Sequence, residues 1–278
     1  MLTFNIFSPF SMRKAFRSRV NRKDREKFAL SYFKPSIDRI NSWVHESRER
    51  TNFTYDLTDT NILYLAHTIS AVTGKLFSDV FAYIEEARND EELTEHVSET
   101  IAKSPFRDEA DERIFWGRRL GWYAFVRILK PKVVVETGVD KGHGSVLLCA
   151  ALLRNKDESF DGQYYGTDIN PDAGYLLTGK YREIGKILYG DSIESLQKIT
   201  APIDLFINDS DHSADYEYRE YKTILSKLSP KTIILADNAH SSDSLAKFST
   251  EQQRHFLFFK EAPKDHWYPG AGIGISWK

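Results

Sequence analysis

The sequence contains one cysteine, two methionines and no long uninterrupted apolar run among its 278 residues. A single cysteine, Cys149, excludes an internal disulfide and fits a reducing, cytoplasmic compartment. It lies in an apolar stretch, where a small buried hydrophobe is the expected role. Without an apolar run of about 20 residues there is no transmembrane helix. Neither sign of charge dominates: 38 Lys and Arg oppose 40 Asp and Glu, so nothing global points to nucleic acid. Internal repeats and low-complexity segments are also missing. The length is enough for one large α/β domain with a smaller appendage.

The chain is organised around residues 133–145, VVVETGVDKGHGS. Pro131 and three valines read as a strand buried on both faces, as in parallel sheets. Glu136 closes it, and Gly138, Gly142 and Gly144 make a turn whose backbone can approach a ligand. Ser145 is the expected N-cap of an apolar helix over residues 146–153. A strand, a glycine turn and a helix N-terminus form a nucleotide-type site. The dinucleotide fingerprint requires Gly-x-Gly-x-x-Gly. Here the order is Glu-x-Gly-x-x-x-Gly-x-Gly. The acid would repel a pyrophosphate but suits a ligand with an amino group.

Upstream, residues 1–30 mix Phe4, Ile6, Phe7, Phe10 and Phe16 with eight basic residues from Arg13 to Lys27. Two readings stand: a basic amphipathic helix that meets a membrane surface or an acidic partner, or a terminus that packs its rings on the main body or a second subunit. From Asp59 the apolar spacing is helical, with Asp59, Thr60 or Asn61 as cap and Gly74 as stop. Acidic residues from Glu85 to Glu95 read as a solvated face. Phe115, Trp116, Trp122, Tyr123 and Phe125 fall on a helix before the first strand. Residues 1–105 are thus expected to form a helical cap, and residues 106–278 the main domain, joined near Ser104-Pro105.

After the glycine turn, strands are expected at residues 163–168, 186–189, 203–208 and 232–237, with helical stretches between several of them. That alternation gives a doubly wound parallel sheet. Residues 255–261 and 271–277 read as a terminal hairpin. Acids recur at the strand ends: Asp168, Asp191, Asp209 and Asp237. In open α/β sheets these ends meet the ligand.

The glycine motif resembles the first motif of class I S-adenosylmethionine-dependent methyltransferases. Its Glu-Thr-Gly-Val start and Gly-x-Gly-Ser end are most similar to the small-molecule O-methyltransferase branch, near the catechol-type, macrolide-sugar and cephalosporin-hydroxylase-like groups. The resemblance covers the main domain only. It implies a Rossmann-like, mostly parallel seven-stranded sheet. It also implies S-adenosylmethionine contacts at Glu136, Thr137, Gly138, Gly142, Gly144, Ser145, Asp168, Asp191, Ser192 and Asp209. Asp168 would accept the ribose hydroxyls, and Asp191 would lie against the adenine. In cation-dependent members the matching positions, Asp209, Asp237 and Asn238, hold a metal, and oxygen donors suit Mg2+. His212 resembles the histidine of an Asp-x-Asp-His motif and is the first choice as general base; His240 is the second, as base or ligand. Residues 266–270, HWYPG, are a candidate wall of the acceptor pocket or a packed loop. The expected acceptor is a hydroxyl of a small molecule. Two rivals remain: a nicotinamide-dependent oxidoreductase on the same scaffold, and a non-catalytic cofactor-binding interaction protein with residues 1–30 as its working part.

Overall fold

The structure, a computed structural model, describes residues 22–50 and 52–278. It divides into two compact units. One comprises the described residues up to Glu46 with His266–Tyr268, and the other Ser47–Asp265 with Pro269–Lys278. Most of the residues that suggested a basic arm, including all five apolar ones, lie outside the described residues. The first unit contains helices α1 (Arg22–Ser31) and α2 (Lys34–Glu46). Within it the Trp43 ring meets that of Trp267 edge-on, with centroids 5.3 Å apart.

The second unit is built on a seven-stranded sheet in the order β3-β2-β1-β4-β5-β7-β6. Its strands are β1 (Val133–Thr137), β2 (Gln163–Asp168), β3 (Gly185–Tyr189), β4 (Ile203–Asn208), β5 (Leu228–Asp237), β6 (His255–Lys260) and β7 (Gly272–Trp277). Strands β1 to β5 are parallel, and β7 runs antiparallel to both β5 and β6. The expected strands are present to within a few residues, and the terminal segments form the expected hairpin. All five residues of β1 are buried, as its run of valines requires of a central parallel strand.

Helices cover both faces. Val133, Val135, Phe206, Ile234 and Ala236 pack on one side against α9 (Ser192–Lys198), α10 (Ala214–Ile224) and α11 (Ser244–Glu251). On the other side lie α6 (Arg119–Leu129) and α7 (His143–Asp157), packed on each other. A short α8 (Gly179–Arg182) precedes β3. The helices α3 (Asp59–Thr73), α4 (Phe77–Arg88) and α5 (Glu91–Lys103) belong to this same unit. The second unit thus begins at Ser47. Among the described residues no helix is long and apolar enough to cross a membrane.

Several local expectations are corrected. Thr58 caps α3, accepting the Asn61 N–H, because it stands one residue ahead of the three expected candidates. Helix α7 begins at His143 after Gly142, which takes a left-handed conformation. Ser145 is thus inside the first turn and is not a cap. Phe115 and Trp116 precede α6 rather than lying on it. The acidic run is not all solvated: Asp90 caps α5 and is buried, and Glu86 receives Tyr123 and Arg127.

Candidate active site

A cleft of about 410 Å³ opens at the carboxyl ends of β1 to β4. Each strand end delivers a residue to it: Gly138 after β1, Asp168 at the end of β2, Gly190 after β3 and Asp209 after β4. This is the crevice that a doubly wound sheet leaves open where its strand order turns. Backbone ladder bonds continue past the strands and hold the rim. The Gly138 N–H reaches Thr167 O at 2.9 Å, and the Asp209 N–H reaches Thr137 O at 2.8 Å. Gly138 has φ +80°, and a Cβ there would land on the Asp209 carbonyl. Only glycine fits at this crossing.

Asp168 does two things at the rim. Its Oδ2 accepts the Val139 and Asp140 N–H groups at 3.0 and 2.8 Å, which fixes the glycine turn. Among the described residues its Oδ1 accepts Asn170 N–H alone, at 2.8 Å, which leaves capacity toward the cleft. Asp191 caps α9 and receives the Tyr216 hydroxyl at 3.1 Å. Ser192 Oγ lies 2.9 Å from the same hydroxyl. Ile169 is 80% exposed at this wall, an apolar surface left uncovered beside two acids.

Five of the expected cofactor contacts therefore line the cleft: Gly138, Asp168, Asp191, Ser192 and Asp209. Glu136, Thr137, Gly142, Gly144 and Ser145 do not. The pleat sends Glu136 and Thr137 into the two helical layers. Glu136 receives Ser145 at 3.0 Å and Tyr164, and burial pushes its carboxyl up to about 7. Gly144 is required because a Cβ there would meet the Glu136 carboxylate and Trp122. Thr137 donates to Glu220 on α10 at 3.3 Å. Glu220 also gathers Ser192, Asn208 and Ser210, yet burial outweighs these donors and raises it to about 7. Asp140, Ser210, Asp211 and Tyr216 line the cleft without having been expected. For Tyr216 a signal existed: it stands seven residues after Asp209, one turn into a helix that starts at the mouth of the cleft.

Beside Asp209 the second cluster comes together. Asp209, His212 and Asp237 each place a ligand atom within 4.8 Å of the others. Asn238 donates from Nδ2 to Asp237 Oδ2 at 2.9 Å and lies 3.0 Å from His212 Nε2. Both amide protons of Asn238 are thus directed, so Nε2 accepts and the histidine proton belongs on Nδ1. That nitrogen faces the buried Glu217 at 3.7 Å. Glu217 raises the His212 pKa above its ordinary value, against the opposing effect of burial. Burial and the neighbouring Asp237 raise Asp209 well above the carboxylate range. Burial opposes ionisation of Asp237 too, but Arg118 prevails and holds it low. His240 is exposed in the turn after β5, and burial of part of its ring lowers its pKa. It is not a member of the cluster.

The donor types suit a hard divalent ion, but the arrangement does not fit one. Both oxygens of Asp237 are taken by the Arg118 guanidinium, Oδ1 by Nε and Oδ2 by Nη2, the latter at 2.5 Å. Asn238 turns its amide nitrogen, not its oxygen, to the cluster. Sequence reasoning missed Arg118, because Gly117-Arg118-Arg119 carries no motif and lies some 120 residues from its partner.

Comparison with known proteins agrees with this geometry. A family model described as a methyltransferase domain matches residues 135–239. No curated protein matches the chain. A protein of Klebsiella pneumoniae assigned as an O-methyltransferase is similar in structure, with TM-score 0.53 and 15% identity, over 76% of this chain and 97% of that one. The O-methyltransferase from Bacillus cereus, in complex with SAH, gives TM-score 0.50 and 14% identity over 77% and 100%. TomG from Streptomyces achromogenes, an O-methyltransferase of tomaymycin synthesis in complex with SAM, gives 0.50 and 14% over 68% and 90%. At such identities the likeness is one of fold. The chain therefore has the class I, Rossmann-like fold, and residues 135–239, which span the glycine turn and the strand ends, match a methyltransferase-domain model.

Proposed function

We propose that the cleft binds S-adenosylmethionine and that the chain transfers its methyl group to a hydroxyl of a small molecule. The observation that carries this reading is the row of Gly138, Asp168, Asp191 and Asp209 along one cleft, at the ends of four adjacent parallel strands. Asp168 offers its remaining lone pairs to the ribose hydroxyls. Ile169 and Asp191 offer an apolar face and an acceptor to the adenine and its amino group. The glycine turn lets the backbone approach the donor without side chains in the way.

The reaction is a displacement at the methyl carbon. The acceptor oxygen forms the new O–C bond, the C–S bond breaks, and its electron pair returns to sulfur as the neutral thioether. The hydroxyl proton goes to His212 Nε2 when the acceptor takes the place of the Asn238 amide there. The Nδ1 proton faces Glu217, which stabilises the imidazolium that forms. Alignment of the two reactants supplies the largest share, on the order of 7–11 kcal/mol. The buried single cysteine accords with a reducing, cytoplasmic setting.

Calorimetric titration with S-adenosylmethionine and, separately, NADH tests the reading. Micromolar binding of the sulfonium compound alone is expected. Binding of NADH alone would move the protein to the oxidoreductases, and binding of neither would remove the donor site.

A further inference from the structure

Arg118 is a buried cation placed where a metal would have to stand. Its residue is 8% exposed and Asp237 is wholly buried. The planar fork meets both carboxylate oxygens, a bidentate geometry that guanidinium alone among side chains provides. The arginine is itself held from behind. Its backbone N–H donates to Glu261 Oε1 at 2.9 Å, and Glu261 Oε2 receives Tyr55 and the Ala271 N–H, each at 3.0 Å. Moving the guanidinium aside would take the nearest counter-charge from the wholly buried Asp237 while Asp209 stands beside it.

The contacts extend to the base. Arg118 fixes Asp237, Asp237 accepts one proton of Asn238, and the other proton of Asn238 is directed at His212 Nε2. A divalent ion at the Asp209–His212–Asp237 group would lie against a fixed positive charge and would compete for the same Asp237 oxygens. It would also take His212 as a ligand and so remove the base.

We propose that Arg118 is the resident cation of the acceptor site: it occupies Asp237 in place of a divalent metal, and through Asn238 it positions His212 until the acceptor arrives. The site then neither needs nor binds a metal. The role given to His212 rests on the methyl-transfer reading; the occupation of Asp237 does not.

The test is a titration of the full-length, EDTA-treated protein with Mn2+, followed by the electron paramagnetic resonance of the free ion. It is run on the protein alone and on protein saturated with S-adenosylhomocysteine. The expected result is no bound Mn2+ into the millimolar range in either state. Arg118→Met, which keeps bulk and removes charge, is expected to gain micromolar Mn2+ binding that Asp237→Asn in the same background abolishes. Stoichiometric Mn2+ binding by the wild type that Asp237→Asn removes would overturn the proposal, whether or not Arg118→Met folds. For the positioning role, the His212 ring-proton titration is read by NMR in wild type and Arg118→Lys, which keeps charge but loses the fork. A displaced His212 pKa in Arg118→Lys is expected, and an unchanged one would refute it. S-adenosylhomocysteine binding to the same samples reads the donor site separately, so failure of that reading is told apart from failure of this one.

Discussion

The phenol of Tyr164 on β2 and the carboxylate of Glu136 on β1 share a hydrogen bond inside the molecule, and neither residue lines the cleft. Ser145 donates to the same oxygen at 3.0 Å, so the acid of the glycine motif is satisfied by its own fold. Glu136→Gln should therefore keep S-adenosylhomocysteine affinity within about threefold, less than 1 kcal/mol. Calorimetry checks this, and a hundredfold loss would return Glu136 to the ligand.

Asp168 and Gly138 should behave in the opposite way. Asp168→Ala leaves the N–H groups of Val139 and Asp140 without their acceptor and removes the ribose contact. Loss of donor binding with a cooperative melt retained is expected from calorimetry and circular dichroism. Gly138→Ala forces a Cβ onto the Asp209 carbonyl at positive φ. A loss of roughly 1–3 kcal/mol in stability should appear in denaturant titration.

His212→Gln should lower turnover by about 10²–10⁴ while leaving S-adenosylhomocysteine affinity intact. Because Glu217 raises the His212 pKa, the neutral base accumulates only above the ordinary histidine range. The wild-type rate should rise with pH through an apparent value above 6.5. A pH profile that is flat there, with an acceptor found by screening, would take His212 out of the mechanism.

Glu136 and Glu220 give stability a definite pH dependence. Both are pushed from an ordinary 4.5 up to about 7 in the fold. A raised carboxyl holds its proton more tightly when folded. Its contribution is complete below 4.5 and is lost as pH rises through about 7. Each shift corresponds to about 3 kcal/mol at most. The melting temperature should fall from pH 5 to pH 8, and Glu220→Gln should flatten that fall. Asp237 acts with the other sign, but only in acid: its pKa is held below 3.8, so its contribution is lost as pH falls below that value.

What could be read from the sequence was whatever short-range pattern fixes. The valine run, the glycine spacing and the acids at strand ends gave β1, the turn and the cleft, because period and backbone freedom are local properties. The direction of Glu136 was legible in principle, since a residue inside a strand must face one layer or the other. Its partner Tyr164 was not, because nothing in a parallel strand says which neighbour lies opposite. Ser145 looked like a cap because caps are serines, yet left-handed Gly142 starts the helix earlier. Arg118 was out of reach: its partner is decided by how α6 crosses the sheet, a tertiary fact with no sequence period.

The Arg118–Asp237 pair also sets the limits of portability. Asp237 lies within the span matched by the methyltransferase model, residues 135–239, and Arg118 lies ahead of it. A fragment trimmed to that span would strip Asp237 of its bidentate partner and would also lose α6 and the β6–β7 hairpin. Marginal stability rarely absorbs such a loss. Grafts, truncations and chimaeras of this protein must carry the segment before α6 along with the sheet, because the heritable module is larger than the motif that advertises it.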